Sequence, residues 1–424
     1  MTDATTFQSP RGTRDILPEQ INAWRSLEST FRDICARYNY QEIRTPLFEH
    51  TEVFARTAGE ASDVLVTKQM YTFDAPDGQS YTLRPEGTAS VVRAYIENNL
   101  GERGPVSKLF YICPIFRYEA PQAGRYRQHH QCGIEMLGAS SPQADAEVLA
   151  IASDFLKELG IKSKLLINSL GTSESRASYI QKLKEHLLPQ KESLSKDSQR
   201  RVEINPLRVF DSKEPQDHAA LENAPVLLNH LKENDPESME HFAQLCKHLD
   251  ELNIAYEVNP NLVRGFDYYS RTAFEFVSDQ LGAQSTVLGG GRYDGLVEQL
   301  GGKSTPGIGF GSGIERLLLV QEASGKRMES QSVPTAFLVT LGDEARLAAP
   351  QILHQFRERG ITCDCDYVGR SMRAQMREAN RQQAQFALIL GDDELANKTI
   401  AVKDMESGEQ KVLSMADAIS VLTA

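Results

Sequence analysis

Between residues 68 and 139 the chain breaks into short alternating runs separated by turns, KQMYTF, YTLRPEG, LFYICPIFRYE and HHQCGIEMLG. Runs of that length, joined by tight turns, pair as hairpins, so this stretch is constrained to an antiparallel sheet. Upstream, Ile21, Trp24, Leu27, Phe31, Ile34 and Tyr38 recur at steps of three and four and give one apolar helix face, which reads as a core or interface helix. Residues 41–49, QEIRTPLFE, read as a strand that Pro46 confines to an edge or terminus. Further helices are expected over 88–100 and 142–159.

A chain of 424 residues is too long for one ordinary core. From residue 171 to about 260 the texture becomes charged and helical, with few strand signals, and reads as a helical insertion. Strand texture returns at 262 and ends in a helix beginning near Gly313. The run SGKRMESQSV, residues 324–333, is polar and turn-rich and reads as a linker. Beyond it TAFLVTLG, a helix over 343–359, ITCDCDY, a helix over 372–383, FALILG and TIAVKD alternate strand with helix, as an α/β domain does.

A net charge of −12 argues against coating nucleic acid non-specifically, although a local basic track stays open. No window approaches eighteen apolar residues, and the polar start MTDATTFQSPRGTRD lacks the layout of a secretory signal. The expectation is a cytoplasmic chain without a membrane span. Six cysteines are scattered without zinc spacing or a disulfide framework. Cys363 and Cys365 would share one strand face as buried thiols.

Four blocks carry chemistry. In LVRGFDYYSRTAFEF, residues 262–276, Arg264 offers a donor fork for phosphate or carboxylate, Gly265 lets backbone approach a ligand, and Tyr268 and Tyr269 present flat walls with polar tips. The block is a ligand-binding turn or the entry to a hairpin. In IFRYEAPQAGRYRQHHQCGIEMLG, residues 115–138, two strand-like arms flank a loop that concentrates Arg117, Arg125 and Arg127. It suits a phosphate or a polynucleotide, or is a solvated basic loop. PGIGFGSGIERLLL, residues 306–319, runs from alternate glycines, which would bare one sheet face for a flat ring, into a helix carrying Arg316. In TLRPEGTA, residues 82–89, Glu86 and Thr88 could bind an ammonium group or cap the following helix.

The weaker signals have plainer readings. GGGRYDGL, residues 289–296, reads as a tight turn. Gly307, Gly309, Gly311 and Gly313 alternate and do not give GxGxxG, and GGKST at Gly301 has Val297 where a phosphate loop needs its first glycine. Arg370, Arg373, Arg377 and Arg381 lie three, four and four apart, a stripe that is either solvated or faces RNA.

Taken together the blocks resemble the histidyl-tRNA synthetases among class II aminoacyl-tRNA synthetases. Residues 262–276 match the family's histidine box with only Phe266 departing. Residues 115–138 resemble its motif 2, with Ala120 and His129 departing in the loop, and residues 306–319 resemble motif 3. RGTRDILP, residues 11–18, and EIRTP around Pro46 match its opening and its motif 1 dimer element, while GRSMRAQMREAN and FALILGDDEL resemble its anticodon-binding domain.

The resemblance implies an α+β protein: a class II antiparallel sheet flanked by helices, with catalytic parts over 1–170 and 261–325, an insertion over 171–260 and an anticodon-binding domain over 334–424. It implies a histidine–tRNA ligase that uses ATP and Mg²⁺, pairs as a homodimer and acts on histidine and tRNA(His). Arg117 and Arg264 would be catalytic; Glu86, Thr88, Gln131, Glu135, Tyr268 and Tyr269 would bind histidine; and Arg117, Glu119 and Arg316 would bind ATP. Gln122, Arg125, Arg127, Arg370, Arg373 and Arg377 would meet tRNA, and no metal ligands are named. The rival is the synthetase-like regulatory subunit of ATP phosphoribosyltransferase, a family that is degraded at the histidine box and lacks the C-terminal domain.

Overall fold

The structure is a computed structural model, and it describes residues 6–58, 69–120, 124–264, 268–281, 286–325 and 333–423. The chain parts into two compact units, residues 1–329 and 330–424. Most of the polar run expected to link them lies outside the described residues.

The first unit is built on an eight-stranded sheet. In chain order its strands are β1 (Gln41–Glu42), β2 (Ser107–Phe116), β3 (Gln128–Leu137), β4 (Lys164–Ser169), β5 (Tyr256–Val258), β6 (Ser270–Val277), β7 (Thr286–Arg292) and β8 (Gly307–Gly313). Across the sheet they run β1-β2-β3-β8-β7-β6-β4-β5. The six inner strands are antiparallel, and only the edge pairs β1 with β2 and β4 with β5 are parallel.

Alternation divides the sheet into two faces. Cys132, Ile134 and Met136 of β3, Phe274 and Phe276 of β6, and Ile308 and Phe310 of β8 form one core with the helices Pro18–Arg37 and Pro142–Glu158. The helix stripe read from the sequence supplies Trp24, Leu27, Phe31 and Ile34 to that core. Phe31 is fully buried, its ring 4.9 Å from that of Phe155. The opposite face carries the residues in between, among them Gln131, Gly133 and Glu135.

Residues 41–49 do not form one strand. Gln41–Glu42 joins the large sheet, and Phe48–His50 joins a separate three-stranded sheet with Tyr71–Asp74 and Ser80–Leu83. The break has a physical cause in Arg84, which is buried and donates through Nη1 to the carbonyls of Thr45 at 3.0 Å and Pro46 at 3.1 Å, and through Nε to Pro114 at 2.8 Å. These carbonyls turn inward to the guanidinium and leave the ladder.

Between β4 and β5 the chain forms five helices, Ser173–Leu187, Lys196–Ile204, Pro215–Leu221, Leu227–Asn234 and Pro236–Glu251. Their core, with Tyr179, Leu183, Val202 and Leu231, is continuous with Tyr268, Tyr269 and Tyr293. A fully buried ion pair joins the covering helix to the sheet: Arg292 at the end of β7 pairs with Asp145 of the helix Pro142–Glu158. Asp145 also accepts from His241 at 2.7 Å and Thr272 at 2.5 Å. Burial alone would raise the Asp145 pKa, but Arg292 and His241 hold it below the usual carboxylate value.

The second unit has a five-stranded sheet in the order Cys363–Cys365, Ala336–Thr340, Phe386–Leu390, Thr399–Asp404 and Gln410–Ser414. The first three strands are parallel and the last two antiparallel. Cys363 and Cys365 are buried free thiols. The expected arginine stripe is interrupted. The helix is Met372–Arg381, so Arg370 precedes it, held by Asp366 and by Glu378 at 3.3 Å, while Arg381 also pairs with Glu378. Arg373 and Arg377 are exposed.

Asp217, fully buried among the helices between β4 and β5, accepts from Ser195 N at 2.8 Å and from the hydroxyls of Ser195 at 2.7 Å, Ser198 at 2.6 Å and Ser212 at 2.5 Å. Burial opposes its charge, but these donors outweigh it and lower its pKa to about 2. The stability this supplies is present above the unfolded carboxylate value of about 3.9 and is lost as pH falls towards the folded one. Asp217→Asn should lower the melting temperature at pH 7, with a cost of about 2 kcal/mol, and the gap to wild type should narrow as pH falls below about 4. A gap independent of pH would show that the donors do not recognise the charge.

Candidate active site

The β2–β3 hairpin, the glycine strands β7 and β8, the start of the helix Thr88–Glu97, and Val263, Arg264, Tyr268 and Tyr269 surround a cleft of about 630 Å³. A hollow of about 190 Å³ opens from its arginine-rich end.

Arg117 follows β2 directly. Its backbone N donates to Arg127 O at 2.8 Å and its Nε to Pro85 O at 2.7 Å, so both main chain and guanidinium are fixed. Glu119 lies between Arg117 at 3.8 Å and Arg125 at 3.7 Å and lines the smaller hollow. Arg316, in the first turn of the helix Ile314–Ala323, donates to Thr286 O at 2.6 Å. Arg264 pairs with Glu275, which also accepts from Thr286 Oγ1 at 2.8 Å. The guanidinium of Arg264 lies 5.7 Å from the ring centre of Tyr269, and its buried Nε has no partner among the described residues.

The other end of the cleft holds carboxyl groups. Glu86 accepts from Ala89 N at 3.1 Å and from Tyr268 OH at 3.0 Å, so it caps the helix and lines the cleft at once. Its burial raises its pKa. Glu135 is 1% exposed and sits behind the wall. It accepts from Thr88 Oγ1 at 2.7 Å and from Tyr293 OH. Desolvation dominates those bonds and pushes its pKa up to about 8, so the group is largely protonated at neutral pH.

The glycines make this packing possible, and not in the way the sequence suggests. A Cβ on Gly309 would lie 2.1 Å from Glu135 Oε2, and one on Gly307 would lie 2.4 Å from the Tyr293 ring. On β7 a Cβ at Gly289 would lie 2.6 Å from Arg264 Nη1, and one at Gly291 would lie 2.9 Å from the Tyr269 ring. Most of the face expected to be bare is therefore filled by the side chains of Glu135, Tyr293, Arg264 and Tyr269. Only Gly311 and Gly313, whose added Cβ atoms would meet nothing closer than 3.6 Å, leave room for a flat ligand, and they border the smaller hollow.

Of the residues singled out in the sequence, Glu86, Thr88, Gln131, Tyr268 and Tyr269 share the main cleft with Arg117, Arg125, Arg264 and Arg316. Arg127 is not in its wall; its guanidinium lies 3.8 Å over the Tyr118 ring. Gln122 lies outside the described residues. His129 is neutral because burial, then Arg117, lower its pKa to about 4.

Several residues escaped the sequence reading. Tyr293 falls in a segment whose glycines suggest a tight turn, whereas it follows the strand Thr286–Arg292 directly. Glu275 had a usable signal, a charge between Phe274 and Phe276 on a strand. Glu315 accepts from His130 N at 3.0 Å, a partner 185 residues away that no local pattern reveals. Arg208 and Lys213 reach the cleft from the helical segment between β4 and β5.

The arrangement suits a reaction that brings two anions together beside an ammonium group: cations converge, the donors are fixed, and no nucleophile is poised among the described residues. Known proteins point the same way. The sequence model described as histidyl-tRNA synthetase matches residues 12–317, and the model described as anticodon binding domain matches residues 335–424. The histidine–tRNA ligase of Oceanobacillus iheyensis is 48% identical over 421 residues, 98% of this chain and 97% of that one. That of Bacillus subtilis is 47% identical over 423 residues, 99% of each. The crystal structure of apo S. aureus histidyl-tRNA synthetase superposes with a TM-score of 0.82 at 40% identity, covering 99% of this chain and 100% of that one. A Bacillus halodurans structure described as an ATP phosphoribosyltransferase regulatory subunit/histidyl-tRNA synthetase shares the fold at 22% identity, with a TM-score of 0.64 over 91% of this chain and 98% of that one.

A carboxyl whose folded pKa is raised contributes stability below its unfolded value that is lost as pH rises through the folded one. Glu135→Gln should therefore raise the melting temperature of the empty protein. Its advantage should widen from about pH 4 to about pH 8 and level off above. An advantage that does not change with pH would mean that Glu135 titrates normally.

Proposed function

The chain belongs to the histidyl-tRNA synthetase family, and we propose that its cleft activates histidine with ATP to histidyl-adenylate and pyrophosphate, then transfers histidine to the 3′ end of tRNA(His). An aminoacyl-tRNA ligase must bring a carboxylate against the α-phosphate of ATP, and the two repel. Positioning and charge neutralisation meet that demand, and no enzyme nucleophile is required.

The observation that carries this reading is the convergence of Arg117, Arg264 and Arg316 on one cleft whose far end holds Glu86, Tyr268 and Tyr269. Arg117, immobilised by Pro85, would hold the carboxylate and α-phosphate together. Arg264 would face the same centre, its unpartnered Nε available there. Arg316 would hold the phosphate tail, with the adenine beside Gly311 and Gly313 and Glu119 near the phosphates. Mg²⁺ retains most of its water and takes one or two carboxylates plus substrate phosphates. That fits a hollow in which Glu119 lies beside two arginines but no group of three His, Cys, Asp or Glu converges among the described residues.

For histidine, Glu86, Thr88 and Gln131 would receive the amino and carboxylate groups, with Tyr268 held against Glu86. Tyr269 would serve the imidazole from the wall, and Glu135 from behind it through the Thr88 and Tyr293 hydroxyls that it holds. Leaving a buried ring nitrogen unpaired costs about 1–3 kcal/mol, and a site built on such bonds rejects analogues lacking them by roughly 10⁴-fold. In the transfer step the adenylate's own phosphate oxygen would accept the proton.

We assign residues 1–170 and 261–325 to the catalytic domain, 171–260 to an insertion and 334–424 to the anticodon-binding domain. RNA contacts would come from Arg125 in the first unit, and from Arg370, Arg373 and Arg377 beside the exposed Tyr367 and Val368 in the second. No described helix is long and apolar enough to cross a membrane, and the proposed location is the cytoplasm. The regulatory-subunit reading is not favoured, because Arg264 and Tyr269 are in place and residues 335–424 match an anticodon-binding domain.

Leu47, Phe48 and Phe73 are 43–48% exposed beside Pro46, and the rings of Phe48 and Phe73 lie 6.0 Å apart. Such an apolar patch suits burial against a second copy. Sedimentation equilibrium at micromolar concentration should give a dimer, and Phe48→Glu should shift it towards monomer. A wild-type monomer would remove the homodimer.

Histidine-dependent exchange of pyrophosphate into ATP, measured beside charging of tRNA(His), tests the reaction. Wild type should do both. Arg264→Ala should lower exchange by about 10²-fold or more with an unchanged circular dichroism spectrum. No exchange by wild type would end the proposal, and near-normal exchange by the variant would remove Arg264 from the chemistry.

A further inference from the structure

RGTRDILP, residues 11–18, is a block to which the cleft chemistry gives no task, yet the structure ties it to the catalytic hairpin. Thr13 donates to Pro10 O through its backbone N at 3.0 Å and its hydroxyl at 2.8 Å, closing a tight turn. Inside the turn Gly12 has a φ of +88°, in the region that favours glycine. Its carbonyl accepts from Arg127 N at 2.6 Å, and Arg127 O accepts from Arg117 N at 2.8 Å. The three residues form one backbone relay that ends at the main chain of Arg117.

The relay lies where the hairpin needs it. The last ladder pair of β2 and β3 is Phe116 with Gln128, and the loop that carries Glu119 and Arg125 begins one residue beyond it. Past that pair the main chain of the first arm is held by Arg117 N to Arg127 O and by Tyr118 N to Gln69 O at 2.7 Å, and of these only the first ties the two arms together, so an anchor on Arg127 guards the junction against fraying. Side chains reinforce the junction. The Arg127 guanidinium lies 3.8 Å over the Tyr118 ring and donates to Glu119 O at 3.3 Å, and that of Arg14 lies 4.8 Å over Tyr126. The fit is tight, since a Cβ on Gly12 would lie 2.7 Å from Arg127 Cγ and 2.8 Å from Cδ.

We propose that Gly12 and Arg127 are positioning residues that clamp the base of the loop after Arg117, holding Arg117 and Glu119 in their productive directions. This rests on the proposed role of Arg117 in adenylation. It also gives Arg127, expected from the sequence to touch RNA, a different task. A small displacement of an orienting group is enough to cost about 10²-fold in rate.

Two measurements on the full chain test the clamp. Gly12→Ala should cut kcat for pyrophosphate exchange about tenfold, with a smaller change in the KM for histidine, a folded circular dichroism spectrum and a melting temperature that stays well above the assay temperature although lowered by the strain at the turn. Arg127→Ala should have a similar effect, and the double variant should be no worse than the more impaired single variant. Losses that multiply, or a Gly12→Ala enzyme with wild-type kcat, would overturn the proposal. Hydrogen exchange without substrate is the second measurement. Gly12→Ala should speed exchange of the Arg127 and Arg117 amides and leave β3 unaffected, and unchanged rates there would overturn the clamp. Absence of exchange activity in wild type would instead sink the adenylation reading, leaving the amide measurement to decide the clamp.

Discussion

The buried pair of Asp145 and Arg292 is the interaction on which both fold and site depend. Both side chains are fully withdrawn from water, so removing either would strand a charge at a cost of about 3–5 kcal/mol. The pair draws together a covering helix, the end of β7, Thr272 of β6 and His241 of the last helix before β5. One residue beyond Arg292 stands Tyr293, whose hydroxyl holds Glu135. Rigidity set up in the core therefore reaches the site through a single peptide unit.

What was legible in the sequence was local. The apolar stripe of the first helix, the arms around Arg117 and the strand texture after residue 262 depend on spacing along the chain, and the structure has each of them. The split of residues 41–49 was not legible, because it depends on Arg84 reaching back some forty positions to turn two carbonyls. Nor was Glu135's place behind the wall. Register sets that, pairing Gly309 with Glu135 across β8 and β3. Chemical type was readable from residues, whereas which groups face one another required the topology.

The glycines show this most clearly. On paper they looked like vacancy, yet in the fold Gly289, Gly291 and Gly309 each give their volume to a neighbour's functional group, Arg264, Tyr269 and Glu135 in turn. The sheet accepts weaker strand propensity there and the cost of burying a carboxyl that desolvation keeps protonated. Both are concessions of stability to placement, concentrated along the cleft.

The parallel pairing of β4 with β5 has an engineering consequence. Parallel neighbours cannot be joined by a tight turn and need a crossover of roughly a dozen residues or more. The five helices between Ser169 and Tyr256 are thus an enlarged version of a connection the sheet requires in any case. In a redesigned chain that segment can be trimmed only where it spares His241 and the residues packed on Tyr268, Tyr269 and Tyr293, and it cannot be excised without unthreading the edge of the sheet.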